Sequence, residues 1–189
     1  MPVEGLDAVL WRVREQGLVE HLGARDLTNP EGCGLDFRLK AAYRLLDSAA
    51  FIAADGPDGM GLRQGLKTEL IMSLDDAIGE SGYLTIEPKG YYLVETVETV
   101  NMPADLMGHV YPRSSLYRAG LLLLASKVDP GYRGPFILGL ANIGPCAVNL
   151  QLGARICHVV FLQVAGVSVG YRGQHQGGRV TPENPEQQV

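Results

Sequence analysis

The chain has 189 residues, 46% hydrophobic and 20% charged, with 24 glycines and 11 prolines. That length supports one domain with an apolar core, and so many turn formers favour short strands over long helices. A net charge of −5 supplies no positive field for a polyanion. It argues against nucleic acid as a partner and leaves open a small phosphate ligand held by a few arginines and amides.

The opening MPVEGLDAVLWRV carries Glu4 and Asp7 where a secretory leader needs basic residues, so no leader is expected. Leu6, Val9, Leu10 and Val13 recur at helical spacing. They predict a short amphipathic helix over roughly the first 15 residues, stopped by Gly17, with Trp11 as a packing residue. From Leu35 the helical period fades, and LDFRL, YLTI, YYLVETV, GHVYP, FILGLAN and RICHVVFLQV follow as strand candidates. Turn formers such as NPEGCG, EPKG, NMPAD, DPGYRGP and NIGP separate them. The fold class expected is all-β with a helical preface.

Between Asp47 and Gly82 the pattern is weakest, and the DGPDGMG tract reads as a surface loop or insertion without chemistry. The longest aliphatic run, Leu121 to Leu124, is far below the roughly 18 residues of a membrane span, so no membrane and a cytoplasmic location are expected. Cys33, Cys146 and Cys157 are odd in number and lack a C-x-x-C pair, which predicts free, buried thiols in a reducing compartment. His21, His109, His158 and His175 lack zinc-like spacing. After Gly170 the chain is polar and short of apolar residues, either a frayed end or a segment that closes over something.

Three segments carry chemistry: Tyr111-Pro-Arg-Ser-Ser-Leu116, Val128-Asp-Pro-Gly-Tyr-Arg-Gly134 and Gly153-Ala-Arg-Ile156. Arg113, Ser114 and Ser115 join a planar cation to two hydroxyls, a set suited to phosphate oxygens. The competing reading is an arginine paired with a carboxylate beside a helix-capping serine. Pro130 and Gly131 form a tight turn that fixes Asp129 and Tyr132, so Asp129 either positions a water or only shapes the turn. Asp36 either supports an ion or phosphates indirectly or is a buried structural group, and His158 reads as a hydrogen-bonded strand histidine.

In this order and at these spacings the segments resemble the motifs of the dUTPase/dCTP deaminase superfamily. Gly34-Leu-Asp-Phe-Arg38 is similar to its early strand motif, and Tyr171-Arg-Gly-Gln174 with Gln176-Gly-Gly-Arg179 to its tail. The helix and tail look most like the archaeal-type dUTPases of the dCTP deaminase branch. The resemblance implies a distorted β-barrel of the dUTPase (β-clip) type over residues 1–170, with an N-terminal helix. It also implies a flexible tail, 171–189, closing over the nucleotide, and a homotrimer with active sites between subunits. Mg²⁺ would ride mainly on the substrate triphosphate, with no dedicated protein metal site.

By the same resemblance Asp129 orients a catalytic water and Tyr132 packs on the deoxyribose. Arg113, Ser114, Ser115, Lys127, Tyr171, Arg172, Gln174, Gln176 and Arg179 complete the substrate-binding set. Counting from Asp129, dCTP deaminases carry a water-activating glutamate where Gly139 stands. Ring deamination needs a positioned acid/base, so the expected activity is dUTP diphosphatase, cleaving dUTP to dUMP and pyrophosphate by water attack on the α-phosphorus. The alternatives are a dCTP deaminase or bifunctional dCTP deaminase/dUTPase, with Glu95 or Glu98 folded into the missing place, and a non-catalytic nucleotide-binding paralogue.

Overall fold

Helix α1 (Leu6–Gln16) ends where Gly17 turns left-handed at φ 64° and its N–H bonds back to Arg12. Val9 is fully buried, and Leu6, Leu10 and Val13 pack against the core. Trp11 departs from expectation: two residues on from Val9 it points to the opposite side of the helix and is 54% exposed. The computed structural model describes residues 2–57, 61–75, 82–166 and 168–187.

In chain order there follow β1 (Val19–Glu20), α2 (Ala24–Thr28), β2 (Leu35–Leu45), β3 (Phe51–Ile52), β4 (Leu62–Gln64) and β5 (Thr68–Ser73). Next come β6 (Tyr83–Ile86), β7 (Tyr91–Asn101), β8 (Leu106–Pro112), α3 (Ser114–Arg118), β9 (Leu121–Leu124) and β10 (Lys127–Val128). The chain closes with β11 (Arg133–Asn142), β12 (Val148–Gln151), β13 (Arg155–Gln163) and β14 (Glu186–Gln187).

One nine-stranded sheet runs β10-β8-β13-β2-β7-β11-β9, with β1 added on β7 and β5 on β2. It curls into a half-barrel, so the mainly β, distorted-barrel expectation with a short N-terminal helix is met. Alternation explains the curl's inside: on β7, Val94, Thr96, Glu98 and Val100 are buried while their neighbours are not. Phe37 of β2 stacks on Phe136 of β11 with ring centroids 5.1 Å apart at the centre of this core.

The weak segment after Asp47 is more structured than a loop. Its β5 extends the main sheet along β2, and β3 pairs with β4, which in turn receives the tail strand β14. Strands of two or three residues with exposed side chains leave no alternation to read. Part of the DGPDGMG tract, residues 58–60, lies outside the described residues.

Only one of the three cysteines is buried as expected. Burial pushes the Cys157 thiol up, well above its ordinary value, which makes it inert. Cys33 and Cys146 are exposed, because each sits among the bends between strands rather than on a core face. Among the described residues no helix is long and apolar enough to cross a membrane.

Candidate active site

The turn after β10 builds the first part of the site. Tyr132 N–H bonds to Asp129 O at 3.2 Å and Gly131 adopts φ 82°, so the backbone alone fixes where Asp129 and Tyr132 project. Lys127 Nζ contacts the Asp129 carboxylate directly. Tyr132 is nearly buried and donates its hydroxyl to Pro135 O at 2.6 Å. Burial pushes its phenol up to about 12, so it stays protonated and serves as a rigid wall.

Beside this turn lies a cleft of about 490 Å³, within the usual range for small-ligand sites. Leu93, Leu124, Ile137 and Gly139 give it a mostly apolar wall, and Lys127, Asp129, Tyr132 and Tyr171 stand at its polar side. Asp129 is the one carboxylate among its lining residues. A second, adjoining cleft shares Asp129 and is lined by Arg63, Arg172 and Gln174.

The tail lies against this turn. Tyr171 N–H bonds to Pro130 O at 2.7 Å, and its ring meets Tyr132 edge-on at 5.3 Å. Gln176 accepts from Arg133 N–H at 3.1 Å and donates to Gly131 O at 3.0 Å. Gly134 has to be glycine for this contact, since a Cβ there would stand 2.7 Å from the Gly177–Gly178 backbone. Arg179 is held by Glu186, at 2.6 Å, rather than free in the cleft. Gln174 Oε1 is buried without a partner among the described residues.

Arg113, Ser114 and Ser115 do not line the Asp129 cleft. Arg113 donates to both carboxylate oxygens of Asp36 at 2.7 Å, while the two serines are exposed at the start of α3 and make no side-chain cap. Asp36 is only 2% exposed and also receives Arg155 Nη1 at 2.8 Å, His158 Nδ1 at 2.8 Å and Arg25 Nη1 at 3.5 Å. Burial pulls its pKa upward, but His158 and Arg113 outweigh that and hold it down at about 2. Asp36 is thus a buried anion at the centre of a cationic cluster. The sequence offered Arg113 and His158 as separate features, and nothing in their spacing showed that β2, β8 and β13 lie side by side.

Glu95 and Glu98 do not fill the place beside Gly139. Glu95 accepts from Tyr43 Oη at 2.6 Å and Lys40 Nζ at 3.3 Å. Glu98 is fully buried on the core side and takes Arg38 N–H at 2.6 Å and Nε at 2.7 Å. Among the described residues no group of three or more His, Cys, Asp or Glu is gathered for a metal ion.

The dCTP deaminase-like family model matches residues 10–164. A dCTP deaminase of Thermococcus kodakarensis is 38% identical over 65% of this chain and 79% of its own length. One from Hyperthermus butylicus is 31% identical over 94% of this chain and 96% of its own. In fold, the chain resembles the deaminase of Agrobacterium tumefaciens, with TM-score 0.61 and 17% identity; the match covers 86% of this chain and 49% of that one. The expectation of a dUTP diphosphatase is overturned by these relatives, which bear the name of the deaminase despite the archaeal affinity that had suggested a dUTPase. A single absent side chain, at Gly139, does not decide between two reactions on one scaffold. By its motifs, its curled sheet and the family model spanning most of its length, the chain belongs to the dCTP deaminase-like family within the dUTPase/dCTP deaminase superfamily.

Proposed function

We propose that this protein deaminates dCTP, releasing ammonia and leaving dUTP. The observation that carries the reading is the cleft at the β10–β11 turn, where Asp129 is the one carboxylate among the lining residues, in a chain whose relatives are named for this reaction. The base lies in the apolar slot. Asp129 takes a proton from water as the water oxygen bonds to C4 of the cytosine; the C4=N3 π pair moves onto N3, which takes up that proton, and the tetrahedral carbon holds both hydroxyl and amine. A proton then passes to the amine, the C–N bond breaks with its electrons on nitrogen, and C4 closes to a carbonyl as ammonia leaves.

Lys127 offsets the carboxylate's charge, Tyr132 and Tyr171 pack the sugar, Arg172 and Gln174 border the side where phosphates enter, and Gln176 ties the tail to the turn through Arg133 and Gly131. The unpartnered Gln174 Oε1 supports this placement, because a buried acceptor calls for a donor from a ligand or its water. Mg²⁺ travels on the triphosphate, as is usual for an ion that keeps much of its water. Arg113, Ser114 and Ser115 lie away from the cleft, so they reach a nucleotide only where a neighbouring copy presents its own cleft to them.

That requirement supports a homotrimer. β9 ends the sheet with Leu122 and Leu124 exposed, and Ile143 nearby is 73% exposed, an apolar edge of the kind that subunit contact covers. Sedimentation equilibrium at micromolar concentration is expected to give three times the chain mass. A monomer would remove the inter-subunit site.

The activity test is incubation of the whole chain with dCTP and Mg²⁺, with ammonia as the readout; release of ammonia is the expected result. A second reading, nucleotide binding without turnover, is favoured by one feature: Gly139 places no acid group on the cleft wall. Tight binding of a dCTP analogue with no product from dCTP would establish that reading in place of the first.

A further inference from the structure

The wall of the cleft at Gly139 is not empty. A Cβ built on Gly139 would stand 2.6 Å from Tyr91 Oη, with Leu124 Cβ at 3.1 Å. Register explains the approach: Gly139 pairs with Leu93 on one side and Leu124 on the other, and Tyr91 lies two residues along β7 on the same face as Leu93. The phenol therefore reaches back over the glycine into the space that a side chain at 139 would take. Tyr91 Oη has no hydrogen-bond partner among the described residues, whereas Tyr132 spends its hydroxyl on Pro135 O.

We infer that Tyr91 is a base-binding residue whose hydroxyl meets the exocyclic edge of the pyrimidine. The inference rests on the cleft being the nucleotide pocket proposed above, and it assigns the inner contact to a residue on a different strand from Asp129. The slot formed by Leu93, Leu124 and Ile137 suits the faces of a flat heterocycle but offers its polar edge nothing. A phenolic hydroxyl both donates and accepts. It can accept from the 4-amino group of a cytosine and donate to the 4-oxo group that replaces it, so one residue serves substrate and product without moving. Gly139 is then a requirement of this contact, since any larger residue displaces the hydroxyl.

The experiment compares binding of three probes, in an Asp129→Asn background so that the cytosine is not deaminated during the measurement: the α,β-imido analogues of dCTP and of dUTP, and 2-deoxyribose 5-triphosphate, which has no base. Tyr91→Phe keeps the ring, and its thermal midpoint is expected to match wild type because the hydroxyl makes no hydrogen bond within the described residues. Its affinity for both base-bearing analogues is expected to fall about five-fold, the scale of one neutral hydrogen bond, with the baseless triphosphate unaffected. Gly139→Ala should give the same loss in the Tyr91 background and little further loss when combined with Tyr91→Phe.

Wild-type affinity of Tyr91→Phe for all three probes would overturn the inference, as would an equal loss for the baseless one. Ammonia release is scored separately on the wild type. If it is absent while the base-dependent loss persists, the deaminase reading falls and the role of Tyr91 stands.

Discussion

Asp129→Asn is expected to lower ammonia release from dCTP by roughly a hundredfold or more, the usual scale for loss of a general base. The amide keeps the size of the carboxylate and part of its hydrogen bonding, but it accepts no proton from water at neutral pH. The turn that carries it should survive, because that turn is closed by the Tyr132 N–H to Asp129 O bond and by Gly131 at positive φ, neither of which uses the side chain. Binding of the α,β-imido dCTP analogue should persist, held by the apolar slot, Tyr132 and the neighbouring cations. Lys127 loses its partner and becomes free to meet a phosphate, so binding can tighten slightly. Turnover and analogue binding on the same folded preparation separate chemistry from shape. Near-normal ammonia release per folded molecule would take Asp129 out of the proton path and leave the cleft without a carboxylate among its lining residues.

The fold was legible wherever a strand was long enough to show its period. YYLVETV announced β7 because alternate positions are buried, and Gly17 announced the end of α1 because only a left-handed residue closes that helix there. The mini-sheet of β3, β4 and β14 was not legible, since its strands are too short for alternation and pair across most of the chain's length. The site divides in the same way. Asp129, Lys127, Tyr132 and Tyr171 were offered by their motifs and do share one cleft. Tyr91 was not, because what brings it there is the antiparallel register of β7 on β11, and no motif marks it. Gly139 shows the limit from the other direction: a sequence records the missing glutamate but not the phenol that occupies its space.

Asp36→Ala is expected to destabilise the fold by about 3–5 kcal/mol, the range for removing one partner of a buried ion pair. The carboxylate is almost inaccessible, and three arginines and His158 converge on it. Without it Arg113, Arg155 and His158 lose the anion they share, while Arg25 keeps Asp26 and Glu31. Asp36→Asn should cost less, since the amide fills the space and still accepts hydrogen bonds. The acid dependence distinguishes a charge effect from a packing effect. The folded-state pKa, held down at about 2 from an ordinary 3.8, means that ionised Asp36 contributes fully at neutral pH. Its contribution fades as pH falls from about 4 towards 2, and by linkage amounts to roughly 2 kcal/mol. Urea unfolding at neutral pH and at steps through that window should show wild type losing this increment while Asp36→Asn does not. Equal slopes for the two proteins would mean that Asp36 sits in the cluster as a spacer and that its cations are held apart by solvent. An unchanged urea midpoint for Asp36→Ala at neutral pH would go further and show that β2, β8 and β13 need no central anion. A deficit that grows with pH up to about 4 and is level above it would identify the Asp36 charge as the tie between those three strands.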